Sequence, residues 1–199
     1  MKIEIRADNT ALITGYVNVV GRESRVLADV SGKFIEIVKP TTFARALEKA
    51  ESVGLMFDHV RTIGSTKDGL ELKEDNIGLY ARAIVSDTEI IEKAKRNELK
   101  GWSFGFYINA NGDEWGQNAD GMRVRTLTDI ELVEVSILDV TPAYIATSIE
   151  MRDGNNILKE YRNADATVEF IDNSEPPKDN PVEVDMNHLK RKFEFLILN

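Results

Sequence analysis

The sequence has no cysteine, two histidines and no long apolar run. The absence of cysteine excludes disulfide bonds, cysteine metal ligands and thiol catalysis. No stretch approaches the ~20 apolar residues that a membrane-spanning helix needs, and residues 1–6 lack the apolar core of a secretory signal. We therefore expect no membrane partner and a chemistry that depends on oxygen and nitrogen side chains.

Positive charge is also scarce. The chain holds 25 lysines and arginines against 34 aspartates and glutamates, which gives a formal net charge of −9. Sequence-independent binding to nucleic acid depends on lysine and arginine neutralising phosphates. The charge balance therefore predicts that nucleic acid is not a partner.

The acidic excess is concentrated near the C-terminal end. Residues 153–185 carry nine acids and three bases, and three of the five prolines lie there. Proline interrupts sheets and helices, and acids repel one another, so this composition is typical of a solvated linker. We predict one domain over residues 1–152, a linker over 153–185, and a short helical or docking segment over 186–199.

Before residue 152 the pattern is mainly that of β-strands. Short apolar or alternating runs separated by turn residues indicate a barrel or a sandwich. The predicted strands cover residues 11–20, 33–38, 53–57, 79–85, 102–108 and 132–138. The turn residues of segment 111–121 predict a loop.

Two segments have the periodicity of helices, so the predicted fold class is mainly β with helices (α+β). The first follows Pro40 and begins at a cap on Thr41 or Thr42. The second runs from a cap on Asp87 to about Leu99 and leads directly into the strand over 102–108.

Residues 99–106 place a single hydroxyl between glycines on this strand. Alternation puts Trp102, Phe104, Phe106 and Ile108 on one face, and Ser103, Gly105 and Tyr107 on the open one. A glycine inside a strand often marks the close approach of a ligand or another backbone, so Gly105 suits a substrate groove. Ser103 is a candidate nucleophile, and the alternative is an incidental serine on a half-buried strand.

A serine hydroxyl needs a neighbouring base to accept its proton, and the chain offers two histidines. His59 follows a predicted strand, where a rigid scaffold presents functional groups. His188 lies beyond the predicted linker, where no fixed geometry is expected. His59 is therefore the candidate base, with a surface histidine as the alternative.

An acid that orients the histidine is the third requirement of such a site. Glu134 lies in the apolar run 132–138, on the same predicted face as Ser136, and an acid there is costly unless it is paired. The alternatives are a water-facing carboxylate on an edge strand, or a salt bridge to Arg82 or Arg123. The acids Glu131, Asp129 and Asp139 are weaker competitors near the ends of the strand.

A metal site is the rival interpretation of Asp58 and His59. With no cysteine and one usable histidine, the sequence has no recognisable zinc spacing, and no carboxylate cluster suits magnesium. The segment 64–67 lacks the upstream glycine of a phosphate-binding loop. We predict neither a metal nor a cofactor.

Taken together, these segments resemble the prohead maturation protease family of tailed bacteriophages, distant relatives of the herpesvirus capsid proteases. The resemblance covers roughly residues 10 to 147. Its motifs are, in order, segments 15–20, 34–43, 57–59, 75–79, 101–106 and 132–136, followed by Pro142-Ala143. Two positions depart from the usual pattern: Thr41-Thr42 replaces Gly-Ala, and an aspartate precedes His59 instead of following it.

The resemblance implies a serine endopeptidase with Ser103 as nucleophile, His59 as general base and acid, and Glu134 as orienting acid. It implies a closed β-barrel flanked by helices. Its substrate would be the major capsid protein and its scaffold segment, cut inside the procapsid in the host cytoplasm. Members of the family also commonly cleave themselves. Because the herpesvirus relatives form dimers, the resemblance also makes a homodimer possible.

An oxyanion hole normally uses backbone N–H groups, and the turn around Ala143 is the candidate.

The competing function is a non-catalytic capsid-assembly or scaffold protein with the same barrel. A protease requires Ser103 within hydrogen-bond reach of His59, and His59 within reach of Glu134.

Overall fold

Strands dominate the chain in the computed structural model, which describes residues 1–139, 158–160 (backbone alone) and 168–174. The elements are β1 (Lys2–Ile5), β2 (Ala11–Val19), β3 (Leu27–Asp29), β4 (Gly32–Val38), α1 (Thr42–Lys49), β5 (Gly54–Phe57), β6 (Arg61–Ser65), β7 (Leu70–Glu74), β8 (Gly78–Val85), α2 (Thr88–Lys95), β9 (Gly101–Ile108), β10 (Asp113–Gln117), β11 (Arg123–Leu127), β12 (Ile130–Leu138), β13 (Leu158–Glu160) and β14 (Glu169–Asp172). The predicted mainly β class with helices is confirmed.

The strands form three open sheets. Their orders are β14-β1-β2-β8-β7, β10-β11-β4-β3 and β13-β9-β12-β5-β6. A closed barrel needs hydrogen bonds on both sides of every strand, whereas in the described residues each sheet ends in two edge strands. The predicted closed barrel is therefore not supported, because the three sheets bury their apolar side chains by packing around a shared core rather than by closure.

The six predicted strands are confirmed, with ends shifted by no more than two residues. The predicted loop over residues 111–121 is wrong in its centre, because β10 covers Asp113–Gln117 and pairs antiparallel with β11. The turn residues that predicted a loop lie at the two ends of this short strand. Alternation along β9 buries Trp102, Phe104 and Phe106 in the core, as predicted.

Both predicted helices are present, and both begin where predicted, after Thr41 and after Asp87. Thr41 occupies the cap position of α1, yet its side chain makes no capping bond. Instead, the Glu74 carboxylate on β7 accepts hydrogen bonds from the N–H groups of Thr41 (2.6 Å) and Ala44 (2.7 Å). Asp87 caps α2 as predicted, by accepting from the Ile90 N–H at 3.1 Å, but the helix ends at Lys95.

Neither helix in the described part of the chain is long and apolar enough to cross a membrane.

Two short strands fall within the segment predicted as a linker. β13 pairs antiparallel with β9, and β14 pairs parallel with β1. Val168 and Phe170 pack against the main core. The domain boundary at residue 152 stays a prediction, and the segment over 186–199 lies outside the described residues.

Candidate active site

Three neighbouring strands bring the predicted site residues to one sheet. β12 lies between β9, with which it pairs antiparallel, and β5, with which it pairs parallel. Ser103 on β9 is directly opposite Ser136 on β12, and His59 follows the end of β5 by two residues. Side chains directly opposite each other on neighbouring strands share a face, with Cβ atoms about 4.5–5.5 Å apart.

A β-bulge in β12 turns Glu134 towards the face of Ser103. Leu132 pairs with Phe106 and Glu134 pairs with the next residue, Gly105, so Val133 is the extra residue of the bulge. Without the bulge, Leu132 and Glu134 would share a face, because the side-chain period is two. The bulge therefore allows Leu132 to pack in the core while Glu134 lies with Ser136 and Ser103.

Glycines flank Glu134 on both neighbouring strands. Gly105 is its partner on β9 and Gly54 is its partner on β5. A Cβ atom at Gly54 would lie 3.5 Å from the Cβ of Glu134. Neither glycine adds a side chain next to Glu134.

His59 is presented by an unusual turn. Asp58 and His59 both have positive φ angles, 50° and 58°. Non-glycine residues in this region are strained by about 1–3 kcal/mol each and persist where the surroundings over-determine them. Here the N–H of Asp58 donates to the Ile137 carbonyl at 3.0 Å, and the N–H of His59 donates to the Ser136 hydroxyl at 2.8 Å.

The imidazole of His59 is hydrogen-bonded to the carboxylate of Glu134. The distance from Nδ1 to Oε1 is 2.6 Å, and both residues are only 2% exposed. When the ring is neutral and the carboxylate ionised, Nδ1 must carry the hydrogen, since the carboxylate only accepts. Nε2 is then the basic nitrogen, and an ionised Glu134 stabilises the ring once Nε2 takes up a proton.

The face that carries Ser103 is buried rather than open, contrary to the sequence-based expectation. Ser103 is 0% exposed, and its hydroxyl makes no hydrogen bond to any residue that the structure describes. A buried hydroxyl without a partner costs free energy, so its retention needs a reason other than stability. The structure thus pairs His59 with Glu134 and leaves Ser103 on the same face without a bond to the pair.

The structural alternatives for Glu134 are wrong. Glu134 is buried on a central strand rather than facing water at an edge. The two arginines considered as partners bind elsewhere: Arg82 donates to Glu71, and Arg123 donates to Asp29.

The competing acids near the ends of β12 are also occupied or exposed. Glu131 is exposed, Asp129 binds Lys49 at 3.0 Å, and Asp139 binds Lys93 at 2.6 Å. None of them accepts from the ring of His59 among the contacts of the described residues.

Asp58, Asp139 and Lys93 form a charged cluster next to His59, and the sequence analysis did not predict it. Asp58 accepts the N–H of Asp139 at 3.1 Å, and Lys93 of α2 binds the Asp139 carboxylate. Burial raises the pKa of Asp58. Burial acts in the same direction on Asp139, but the hydrogen bonds from Lys93 and Asp58 outweigh it and lower the pKa of Asp139. Of the two carboxyl groups, Asp58 is therefore the one that is protonated more readily.

Ser136 was also missed as a functional candidate, although its signal was in the sequence. It lies two residues from Glu134 on the same face, and its hydroxyl fixes the backbone of His59. The predicted oxyanion residue Ala143 and the second histidine, His188, lie outside the described residues.

Comparison with known proteins identifies a family. The family model of the caudovirus prohead serine proteases matches residues 1–160. No curated protein and no solved structure matches the chain. The matched range contains Ser103, His59 and Glu134, and it covers most of the 199 residues. The chain therefore belongs to the caudovirus prohead serine protease family.

Proposed function

We propose that this protein is a serine endopeptidase in which Ser103, His59 and Glu134 act as one catalytic unit during phage prohead maturation. The observation that carries the proposal is the buried bond between His59 Nδ1 and Glu134 Oε1 on the face of the sheet that holds Ser103. Family membership supports the class of reaction. The residue roles come from the geometry and from the known logic of triads.

In the proposed reaction, Ser103 Oγ attacks the carbonyl carbon of the scissile peptide bond while its proton passes to His59 Nε2. Glu134 stabilises the resulting imidazolium. Nε2 then gives the proton to the leaving amine, and an ester joins Ser103 to the acyl half of the substrate. A water molecule gives a proton to Nε2 and attacks the ester carbonyl; the bond to Ser103 Oγ then breaks, and Nε2 returns the proton to Oγ.

This reaction requires the Ser103 hydroxyl to approach Nε2 to about 2.6–3.2 Å. Catalytic hydrogen bonds are often long or misaligned in free enzymes and tighten when substrate binds. The unpartnered hydroxyl of Ser103 fits such a free state, because no competing bond to a described residue must break first.

The oxyanion that forms on the substrate needs backbone donors. We propose the backbone N–H of Ala143 as one of these donors, because Pro142-Ala143 is the last motif of the family resemblance and follows β12 in the sequence.

We propose the major capsid protein and its scaffold segment as substrates, cut inside the procapsid in the host cytoplasm. Self-cleavage is proposed as well, since the acidic, proline-containing stretch 175–181 has the composition of chain open to proteolysis. A homodimer is a further proposal that the family relationship motivates.

The test is co-expression with the cognate capsid protein, followed by mass measurement of every chain. We compare the wild type, Ser103→Ala, and the matched control Ser31→Ala at an exposed serine. The proposal expects capsid cleavage with the wild type and the control, and none with Ser103→Ala. Identical cuts in all three would remove Ser103 from the mechanism, and intact chains in all three despite assembled procapsids would favour a non-catalytic assembly protein.

A further inference from the structure

The strand that carries Ser103 has two edges, and a distant segment of the same chain occupies the outer one. β9 pairs with β12 on one side and with β13 on the other. β13 runs antiparallel to β9, with Leu158 opposite Phe106, Lys159 opposite Gly105 and Glu160 opposite Phe104. Without these three residues, β9 would be the end of its sheet.

The uncovered edge of a sheet offers a row of N–H and C=O groups, which extended peptides recognise by adding a strand. In an antiparallel ladder, each step forward on one strand is a step back on the other. The ladder with β13 ends at Phe104, so a peptide bound in that register presents its next residue opposite Ser103.

Gly105 lies in the middle of this ladder, opposite Lys159. A strand glycine allows close approach of another backbone. On the other side of β9 the same glycine is opposite Glu134, so it adds no side chain next to either β12 or β13.

β14, which follows β13 in the chain, also pairs with a strand of the main sheets. β14 begins nine residues after β13 ends and pairs parallel with β1, from Lys2 opposite Glu169 to Ile5 opposite Asp172. Both strands add to an existing sheet at its edge.

We propose that the outer edge of β9 is the edge on which an extended peptide substrate binds, and that residues 158–160 are its intramolecular occupant. This inference rests on the proposed function of Ser103. A tethered occupant has a high effective concentration, so a free peptide must compete with it. Three residues form few hydrogen bonds, so displacement is achievable and the segment acts as a built-in competitor.

The test measures peptide binding in the full-length Ser103→Ala background, which removes turnover. The probe is a fluorescent synthetic peptide with the sequence of residues 154–164, and the readout is fluorescence anisotropy. Lys159→Pro fixes φ at about −65°, away from the value of an antiparallel strand, and so disfavours β13, whereas Lys178→Pro makes the same exchange beside an existing proline. We expect Lys159→Pro to bind the probe about tenfold more tightly than Lys178→Pro, as expected when a tethered competitor is removed.

Two controls keep the result specific. Combined Leu158→Gly, Lys159→Gly and Glu160→Gly replacement weakens β13 without proline and should also tighten binding. Two further probes carry N-methyl groups at odd or at even positions; since alternate N–H groups of a strand face opposite neighbours, only one of the two should lose binding.

Hydrogen exchange locates the bound probe. Exchange over residues 101–108 should rise in Lys159→Pro and fall again when the probe is added. Equal affinity in the two proline variants, equal loss with both methylated probes, or unchanged exchange over 101–108 would each overturn the inference. Because the background lacks Ser103, these outcomes are independent of whether the protein cleaves capsid protein.

Discussion

Glu134 and Glu36 occupy similar places in the sequence and in the fold, but their partners differ in chemistry. Each glutamate lies between β-branched apolar residues, Val133 and Val135 in one case and Ile35 and Ile37 in the other. Both are buried, with 2% of Glu134 and 0% of Glu36 exposed.

The partner of Glu36 is an arginine. Arg125 Nε donates to Glu36 Oε2 at 2.6 Å, and its guanidinium lies 4.8 Å from the centre of the Phe34 ring. Trp115 covers the same group from the neighbouring strand, with Arg125 5.7 Å from its ring centre. Arginine stays charged at every pH at which a protein folds, so this pair can stabilise the sheet but cannot transfer a proton.

The partner of Glu134 is a histidine on a strained turn, and an imidazole, unlike a guanidinium, can act as a proton acceptor and donor. The pair also shares its face with a hydroxyl that has no bond to a described residue. An acid in an apolar strand thus indicates a paired acid, whereas the chemistry of its partner decides whether the pair can take part in proton transfer.

The largest expected effect comes from Glu134→Gln. The amide keeps the shape of the side chain but no longer favours the imidazolium or the correct tautomer, so cleavage should slow by up to ~10⁴-fold, as in other triads. The measurement is the rate of capsid-protein cleavage by purified variant, with folding checked by circular dichroism. A wild-type rate would exclude Glu134 from the mechanism.

Glu36→Gln should lower the stability of the protein without slowing cleavage. It leaves the Arg125 charge buried without its counter-charge, which we expect to lower the free energy of unfolding by about 3 kcal/mol. The cleavage rate per folded molecule should not change. Urea unfolding and an active-site titration separate the two quantities, and a slowed rate with unaltered unfolding would erase the distinction between the two glutamates.

Ser136→Ala tests how the turn holds His59. Loss of the hydroxyl leaves the His59 N–H without its acceptor, which costs about 1–3 kcal/mol for a buried donor. Small displacements of a catalytic group lower rates steeply, and we expect about a tenfold slower cleavage. Full activity together with reduced stability would assign Ser136 to folding alone.

Asp87→Asn tests an acid whose partner is more exposed. The hydrogen bond from Arg61 lowers the pKa of Asp87, so its contribution to stability is complete above the ordinary aspartate pKa and is lost as pH falls through the lowered pKa of the folded state. Asparagine still caps α2 through Oδ1, but its Nδ2 cannot accept the second hydrogen bond from Arg61, so the exchange removes the charge and that bond. We expect a difference below about 1 kcal/mol at pH 7 that shrinks as pH falls below the ordinary aspartate range, measured by urea unfolding across that range. A difference that persists at low pH would contradict this origin.

Sequence alone predicted the elements whose signals are local. The alternation along β9, the six strands and the Asp87 cap follow from residues within one element. The Glu74 carboxylate that holds the start of α1 is 30 residues away from Ala44, so no local pattern could indicate it.

The site itself was predictable only in part. Motif order named Ser103, His59 and Glu134, but the bulge after Leu132 and the left-handed turn at Asp58 leave no mark in hydrophobic periodicity. The buried state of Ser103 and the open sheets depend on how separate sheets pack, which strand propensity does not determine.

In the proposed mechanism Ser103, His59 and Glu134 work as one unit, and Glu36 does not belong to it. The most direct measurement is covalent labelling with a fluorophosphonate, with the modified residue identified by mass spectrometry. We expect an adduct on Ser103 that forms at the wild-type rate in Glu36→Gln and much more slowly in Glu134→Gln. An adduct on another serine, or equal labelling rates in the two glutamate variants, would contradict it.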